Sequence, residues 1–411
     1  MKQLPLLFLL VLVPAVAGAQ AVSQRGFVEG VSTLYPLETP RDSTRLVADL
    51  RIREEVFFKP APWIQFAGGL DVRANSHDQV EDSWSLDYSD RGTKRPRLSV
   101  RRLSATLTRG RFTLDAGKQF IRWGKTDIVT PTDRFAPRDF LNVLDTEFLA
   151  VTAIRGVALI GDETVEGVWT PRFTPSRTPL LDQRWSGIPA GQPLIAIVDG
   201  GAVIPSGDQL GVRWSHVGGV MEYSLSYFNG FNHLPSVVSA FEPSPPAVAI
   251  TRVYPDIDTY GGDLAVPTPW FTVKGEAAYF RTTAEPAAAD DYVLYVVQLE
   301  RQSGEWVFVG GYAGEKVTEE RAVPGFAPDR GLAEAFLGRA SYTLDPNRSV
   351  AFEGAVRQNG DGVYAKAEYS QAFGQHWRMT AAGVLIRGSE GDFLGQYRLN
   401  SNATLALRYS F

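Results

Sequence analysis

The last strand of this chain has two faces that ask for two different solvents. Read back from the end, Phe411, Tyr409, Leu407, Leu405 and Ala403 alternate with Ser410, Arg408, Thr404, Asn402 and Asn400. Side chains along a strand point alternately to opposite faces, so one face here is apolar and the other polar. Only helices and closed barrels satisfy every backbone group inside a bilayer. The chain has no second run of the length, about 18 apolar residues, that a spanning helix requires, which leaves a barrel or a periplasmic protein.

At the other end, Lys2, an apolar stretch from Leu4 to Val16 and then Ala17-Gly18-Ala19 fit a secretory signal peptide cut after Ala19. That stretch is shorter than the roughly 20 residues of a membrane helix, and Pro5 and Pro14 interrupt it. Residues 1–19 are therefore expected to be an address and residues 20–411 to form one barrel domain. The first strand then follows so soon that little room is left for a plug domain. With 39 Gly, 9 Trp, 15 Tyr, 23 Phe and no Cys, the composition suits an exported, strand-rich chain held by pairing rather than by disulfides. A net charge of -5 gives no basic footprint for nucleic acid. Phosphate-loop and metal-ligand spacings are missing, so no cofactor and no metal is expected.

Alternating segments recur from near residue 26 and read as eighteen strands, with sixteen as the alternative count. They are 26–35, 46–58, 64–75, 97–109, 112–123, 151–161, 163–170, 209–217, 219–229, 250–266, 270–282, 291–301, 306–316, 334–344, 348–358, 362–373, 376–388 and 399–411. Short connections such as Pro60-Ala61-Pro62, Arg109-Gly110-Arg111 and Asp345-Pro346-Asn347 are rich in turn formers. Between them lie the long segments 76–96, 124–150, 171–208, 230–249, 283–290, 317–333 and 389–398. Short and long connections in alternation predict an all-β, antiparallel up-and-down transmembrane barrel with periplasmic turns and extracellular loops.

Side-chain direction tests this independently, because a charge facing lipid at the midplane costs roughly 2 to 4 kcal/mol. The third strand sets Ile64, Phe66, Gly68, Leu70 and Val72 against Gln65, Gly69, Asp71 and Arg73. Glu54 and Lys118 are exceptions that fall on the lipid face unless a bulge shifts the register. Trp63, Trp270, Trp306 and Trp377 sit at or just after short turns, where indoles suit the headgroup level.

The inward positions give the expected pore lining: Asp49, Arg51, Arg53, Glu55, Asp71, Arg73, Asp115, Gln119, Trp123, Arg213, Lys274, Glu276, Arg357, Lys366, Glu368, Arg378 and Arg408. Acids and bases nearly balance, which gives no basis for strong ion selectivity. Asp49, Arg51, Arg53, Glu55, Asp71 and Arg73 form a mixed ladder on adjacent strands, whose ordinary role is to stabilise a wetted wall.

The segment after the fifth strand is the most distinctive. Gly117-Lys118-Gln119 runs into Trp123-Gly124, followed by Pro131-Thr132-Asp133, Pro137-Arg138-Asp139 and Asp145-Thr146-Glu147. Together with Glu166, Pro171, Phe173, Pro175, Arg177 and Pro179, this stretch resembles a porin-like outer-membrane barrel family of Gram-negative bacteria. The match covers roughly residues 112–180, and it implies a barrel channel without indicating a substrate. A loop rich in Pro and Asp cannot face lipid, so it must cap the barrel or fold into the lumen. Folded inward, Asp127, Asp133, Arg134, Arg138, Asp139, Asp145 and Glu147 would line a constriction. Loop 171–208, with Arg172, Arg177, Asp182 and Arg184, is a second candidate for pore or cap.

A passive channel for small polar solutes is the leading expectation, since a barrel of this size leaves an aqueous path. A ligand-specific barrel that moves an apolar or polymeric compound is the alternative. A lipase or protease in the wall is the third, and it is disfavoured. Ser215 and His216 are adjacent on a strand and point to opposite faces, and His77, His233 and His376 fall in turns or loops without an evident partner. Expected partners are outer-membrane lipid and lipopolysaccharide, a barrel assembly machinery that reads Tyr409 and Phe411, and a possible second copy of the chain.

Overall fold

The computed structural model describes residues 21–127, 129–187, 196–282, 289–320 and 327–411, so the expected signal peptide at 1–19 lies outside the described residues. Eighteen long antiparallel strands form one closed wall. In chain order they are β1 (Val22–Leu34), β2 (Leu46–Ala61), β3 (Ile64–Asn75), β4 (Leu98–Arg109), β5 (Phe112–Gln119), β6 (Val151–Ile160), β7 (Glu163–Thr170), β8 (Gln209–Gly218) and β9 (Met221–Phe231). The second half comprises β10 (Asp256–Pro267), β11 (Thr272–Thr282), β12 (Asp291–Ser303), β13 (Trp306–Glu319), β14 (Ala335–Asp345), β15 (Arg348–Arg357), β16 (Gly362–Phe373), β17 (Trp377–Gly388) and β18 (Asn402–Ser410).

Closure comes from β1 pairing with β18, from Phe27↔Ser410 to Leu34↔Ala403. The amides of Gly26 and Phe411 each donate to the other's carbonyl, at 3.1 and 3.0 Å. Gly26 is needed there, because a Cβ would meet the Phe411 ring at 2.6 Å. Closing the sheet removes both edges, which no open sheet can do in lipid. Short turns join the strands at one end, with Gly110 and Gly304 in the left-handed region at φ +60° and +59°.

The outer surface is apolar: Leu50, Leu70, Leu103, Leu225, Val297, Phe352 and Leu405 are all exposed. An exposed apolar belt this continuous marks contact with a membrane rather than with water. Trp63, Trp270, Trp306 and Trp377 are exposed beside the short turns and form an aromatic rim there.

Of the two charges that break simple alternation, Lys118 is sheltered and Glu54 is not. Lys118 shares a register position with the exposed Leu103, yet it is 1% exposed. The loop between β3 and β4 folds over it, and its Nζ donates to the Tyr88 carbonyl at 2.8 Å and to Asp90 at 2.5 Å. Glu54 does stand on the outer face, beside Gly26 and Phe411. A bulge in β4 opposes Gly69 and Leu70 with Arg102 and Val100, leaving Arg101 as the extra residue.

The segment expected as one strand at 250–266 is two. Pro246–Val253 belongs to a separate three-stranded sheet with Ala196–Val203 and Ser236–Pro243, and β10 starts only at Asp256. Pro255 lacks an N–H and restricts Tyr254, which breaks the strand between them. The expected strand 112–123 stops at Gln119, and 399–411 starts at Asn402, after a 3-10 turn at Gly395–Asn400. The loops read as 171–208, 230–249 and 389–398 are therefore partly structured.

An arginine at the lipid-facing Leu225 should lower stability by roughly 2 to 4 kcal/mol, whereas one at the lumen-facing Thr380 should change it by less than about 0.5 kcal/mol. Urea unfolding in lipid vesicles measures both.

Candidate functional site

The chain leaves β5 and turns into the barrel. Trp123 donates its indole N–H to Glu166 at 2.7 Å, and the same carboxylate takes both ends of Arg155 at 2.8 Å. Phe135 stacks edge-on against Trp123 at 5.2 Å and against Phe228 at 5.0 Å. Asp133 accepts the backbone amides of Trp123 and Gly124 at 2.5 and 2.7 Å, closing the first turn of the loop on itself. Gly124 fits there because a Cβ would lie 2.6 Å from Thr130 Cβ.

Glu276 of β11 then receives five donors from this loop. The amides of Lys125, Thr126 and Thr132 donate at 2.8, 3.0 and 2.9 Å, and the two threonine hydroxyls donate at 2.8 Å. Asp127 reaches Lys274 at 3.2 Å and also accepts from Gln298. Further along, Asp139 lies between Arg95 at 2.9 Å and Arg177 at 3.3 Å. Glu147 meets Arg51, Arg53, Arg73 and Arg101 at 3.1, 2.5, 2.6 and 2.7 Å. Since Glu276 stands on β11 and the four arginines on β2, β3 and β4, segment 124–150 runs across the lumen from one wall to the other.

Burial alone would raise both loop carboxyls. Against it, Arg73, Arg53, Arg51 and Arg101 hold Glu147 far below the usual carboxylate range, while Arg95 and Arg177 bring Asp139 to about 2. Charge-assisted bonds of this kind are about twice as strong as neutral ones.

The sequence-expected residues fall into distinct settings. Arg53 grips Asp71 with two bonds of 2.7 and 2.6 Å, and Arg73 joins at 3.1 Å. Glu55 takes Arg25 at 2.7 Å, Asp49 takes Asn75, and Arg408 and Arg51 each reach Glu29 at 2.6 Å. Asp115 accepts from Thr106, Gln119 donates to the Ala153 carbonyl, Arg213 pairs with Asp263, and Lys366 pairs with Glu368. Arg357 binds Asp392 in the long-loop region, whereas Arg378 is exposed near the short turns. Within the loop, Asp133 and Asp139 are 3% exposed and bonded to protein partners, Asp133 at the edge of the cavity described below. Arg134 is buried over Phe280, Arg138 stacks on Phe148, and Asp145 is exposed.

Sequence reasoning missed Arg101, Arg122, Arg155 and Glu29. The β4 bulge hides the direction of Arg101, and Arg122 lies beyond the end of β5. Three phenylalanines interleave this basic wall: Phe27 under Arg51, Arg53 and Arg408, Phe120 under Arg101, and Phe148 between Arg122 and Arg138. All the histidines set aside above have partners. His77 meets Asp42 at 2.8 Å, His216 meets Glu163 at 2.7 Å, His376 meets the Ser410 carbonyl at 2.7 Å, and His233 meets Ser176 at 2.8 Å.

On the far side of the loop from the arginine cluster, a cavity of about 420 Å³ lies against β12–β16, bordered by Arg134, Arg138, Glu300, Arg339, Glu353 and Tyr364. A second space of about 600 Å³, bordered by Arg252, Arg330, Arg357 and Asp392, lies among the long loops. Phe393 borders both. Its ring packs so close to Gly331 that a Cβ there would lie 2.2 Å away.

No known family profile matches this chain, and no curated protein does. Among solved structures it is similar to a BenF-like porin from Pseudomonas fluorescens Pf-5, with a TM-score of 0.57, 8% identity and coverage of 95% of this chain and 98% of that one. It is also similar to Pseudomonas aeruginosa OccK2 (OpdF) in complex with glucuronate, at 0.54, 9%, 95% and 96%. Pseudomonas aeruginosa OpdK with vanillate gives 0.52, 9%, 95% and 98%. At such identities the likeness is one of fold.

Replacing Glu147 by Gln leaves four guanidiniums without their shared anion. It should weaken the anchoring of the loop by about 3 kcal/mol and raise single-channel conductance and current noise in planar bilayers. The pH response follows from the same groups. A carboxyl whose folded pKa is depressed stabilises the structure fully above its unfolded value and loses that contribution as pH falls through the folded one. For Asp139 that window runs from 3.8 down to about 2. Conductance should therefore be the same at pH 7 and pH 5 and should change only as pH approaches 2, as a pH series of single-channel recordings would show.

Proposed function

We propose that this chain is an outer-membrane channel of a Gram-negative bacterium, through which small polar solutes diffuse along a lumen narrowed by loop 124–150. The observation that carries this reading is the loop fastened to opposite walls by Glu276 and by Glu147, with open space left against β12–β16. An apolar exterior with a charged interior is what lipid outside and water inside require. The fold neighbours support it, one being a BenF-like porin and two having been solved with glucuronate and vanillate.

In this reading the path enters among the long loops, passes Phe393, and follows the wall of β12–β16 beside the loop. Asp127, Arg134, Arg138 and Asp145 act on the solute, whereas Asp133, Asp139 and Glu147 hold the loop. Tyr409 and Phe411 present the assembly signal, and lipid and lipopolysaccharide contact the outer belt. Ser176 and His233 do not support hydrolysis, because His233 Nε2 has no carboxylate partner among the described residues.

Purified protein in a planar bilayer should give ohmic current steps in simple salt. A ligand-specific barrel would stay closed until its substrate is added, and hydrolysis of lipid or peptide without any steps would overturn the channel reading.

A further inference from the structure

On the outer face, beside the short turns, the apolar belt is indented. Gly156 on β6 and Gly167 on β7 stand opposite each other, in a row of outward positions that runs from Leu107 and Leu114 to Val212. Those three flanking side chains are exposed, and a Cβ on either glycine would meet nothing within 4 Å. The result is a groove of about 940 Å³, floored by the two glycines and Ala158 and walled by Leu114, Val165 and Phe112. Its size falls in the range, about 300 to 1,000 Å³, of sites that hold small molecules.

One end of this groove is basic. Arg109 pairs with the outward-facing Phe112 and borders the groove, and Arg111 is exposed in the same turn. Among the described residues neither has a carboxylate within ion-pair distance. The acids of the next short turn are directed elsewhere: Asp162 lies against Gly218, where a Cβ would be 3.3 Å from its carboxylate, and Glu163 is held by His216 at 2.7 Å. Trp63, which is 57% exposed, borders the same end, and indoles sit at the headgroup level. An arginine on the lipid face near a strand end carries its charge to the headgroups along its own methylenes. No other short turn carries two arginines.

An apolar groove that ends at two unpaired cations and an indole fits a lipid with an anionic phosphate headgroup, because arginines at a membrane surface attract anionic lipid by charge. Short turns of such barrels face the periplasm. The lipid is therefore a glycerophospholipid of that leaflet, and lipopolysaccharide, which occupies the other, is excluded. A second copy of the chain fits less well. A two-fold axis along the membrane normal brings the same patch against itself at the same depth, which sets Arg109 and Arg111 against their own counterparts.

We infer that the groove across β4–β7 is a binding site for one anionic glycerophospholipid of the periplasmic leaflet, with its phosphate at Arg109 and Arg111 and the adjoining part of an acyl chain over Gly156 and Gly167. The inference rests on the outer-membrane half of the proposed function and not on conduction. The test is native mass spectrometry of the full chain in detergent, titrated with phosphatidylglycerol or with phosphatidylethanolamine of the same acyl chains. The first phosphatidylglycerol should half-saturate at a concentration about tenfold lower, as one to two arginine contacts imply. Arg109→Gln combined with Arg111→Gln should remove most of that preference. Gly167→Leu should fill the groove and weaken both lipids several-fold, and the open space beside this glycine lets the barrel fold around a leucine.

Arg301→Gln, at another short turn, and Gly383→Leu, at a glycine of β17 with the same open space, should leave both values unchanged. Faster gel migration before boiling than after identifies the folded chains, and either groove variant decides alone if the other fails to fold. Equal binding of the two lipids by the folded native chain overturns the site, as does undiminished binding in both folded variants or an equal loss of preference in Arg301→Gln. Multimers that Gly167→Leu abolishes, with no lipid preference, give the groove to a second copy instead. Lipid preference in a chain that passes no current upholds the site and removes only the channel reading. A native chain that stays dissolved without detergent removes the outer-membrane reading and the site together.

Discussion

The charge match between Glu147 and four arginines is what allows a polar loop to occupy the inside of this barrel. Arg51, Arg53, Arg73 and Arg101 project from β2, β3 and β4 into one region, and without an anion among them they would repel one another in a space only partly filled by water. Asp71, Glu29 and Glu55 neutralise part of that charge from the wall itself. Glu147 supplies the remainder from the loop, so the wall and the loop each complete the other. Removing one partner from such a cluster leaves uncompensated charge, which is why the arrangement is specific as well as strong.

A single anchor would let the loop swing. The second, at Glu276, works by geometry rather than by net charge, because one carboxylate takes three backbone amides and two hydroxyls from residues 125–132. Those amides need acceptors in any buried position, and Glu276 provides them where no backbone partner exists. Between the anchors, Asp139 ties the loop through Arg95 and Arg177 to the segments that follow β3 and β7. The lumen is thereby divided into a filled side and an open side along β12–β16, and on the proposed channel reading a solute is left with the second.

Much of the fold was legible because period-two alternation reports which solvent each face meets. All eighteen wall strands overlap their sequence-derived segments, and the ends drifted where a loop took over the pairing, as at Gln119 and Asn402. The three-stranded sheet was hidden because Pro246–Val253 reads as the start of β10, and only Pro255 separates them. The site was legible by residue type but not by partner. Charge counts showed balance, and the structure keeps it locally: the arginines of β2–β4 meet Glu29, Glu55, Asp71 and Glu147, while the open side carries Arg134, Arg138 and Arg339 beside Asp127, Glu300 and Glu353. Arg101 escaped because a bulge reverses the parity that the argument used, and His233 escaped because its partner, Ser176, lies far away in sequence.

The central claim is that segment 124–150 stands inside the conducting path. The chain contains no cysteine, so Asp145→Cys introduces a single reactive thiol on the exposed part of that segment. A charged methanethiosulfonate reagent added during single-channel recording should cut the current in one irreversible step per channel. Complete labelling by mass with no change in current would contradict the account.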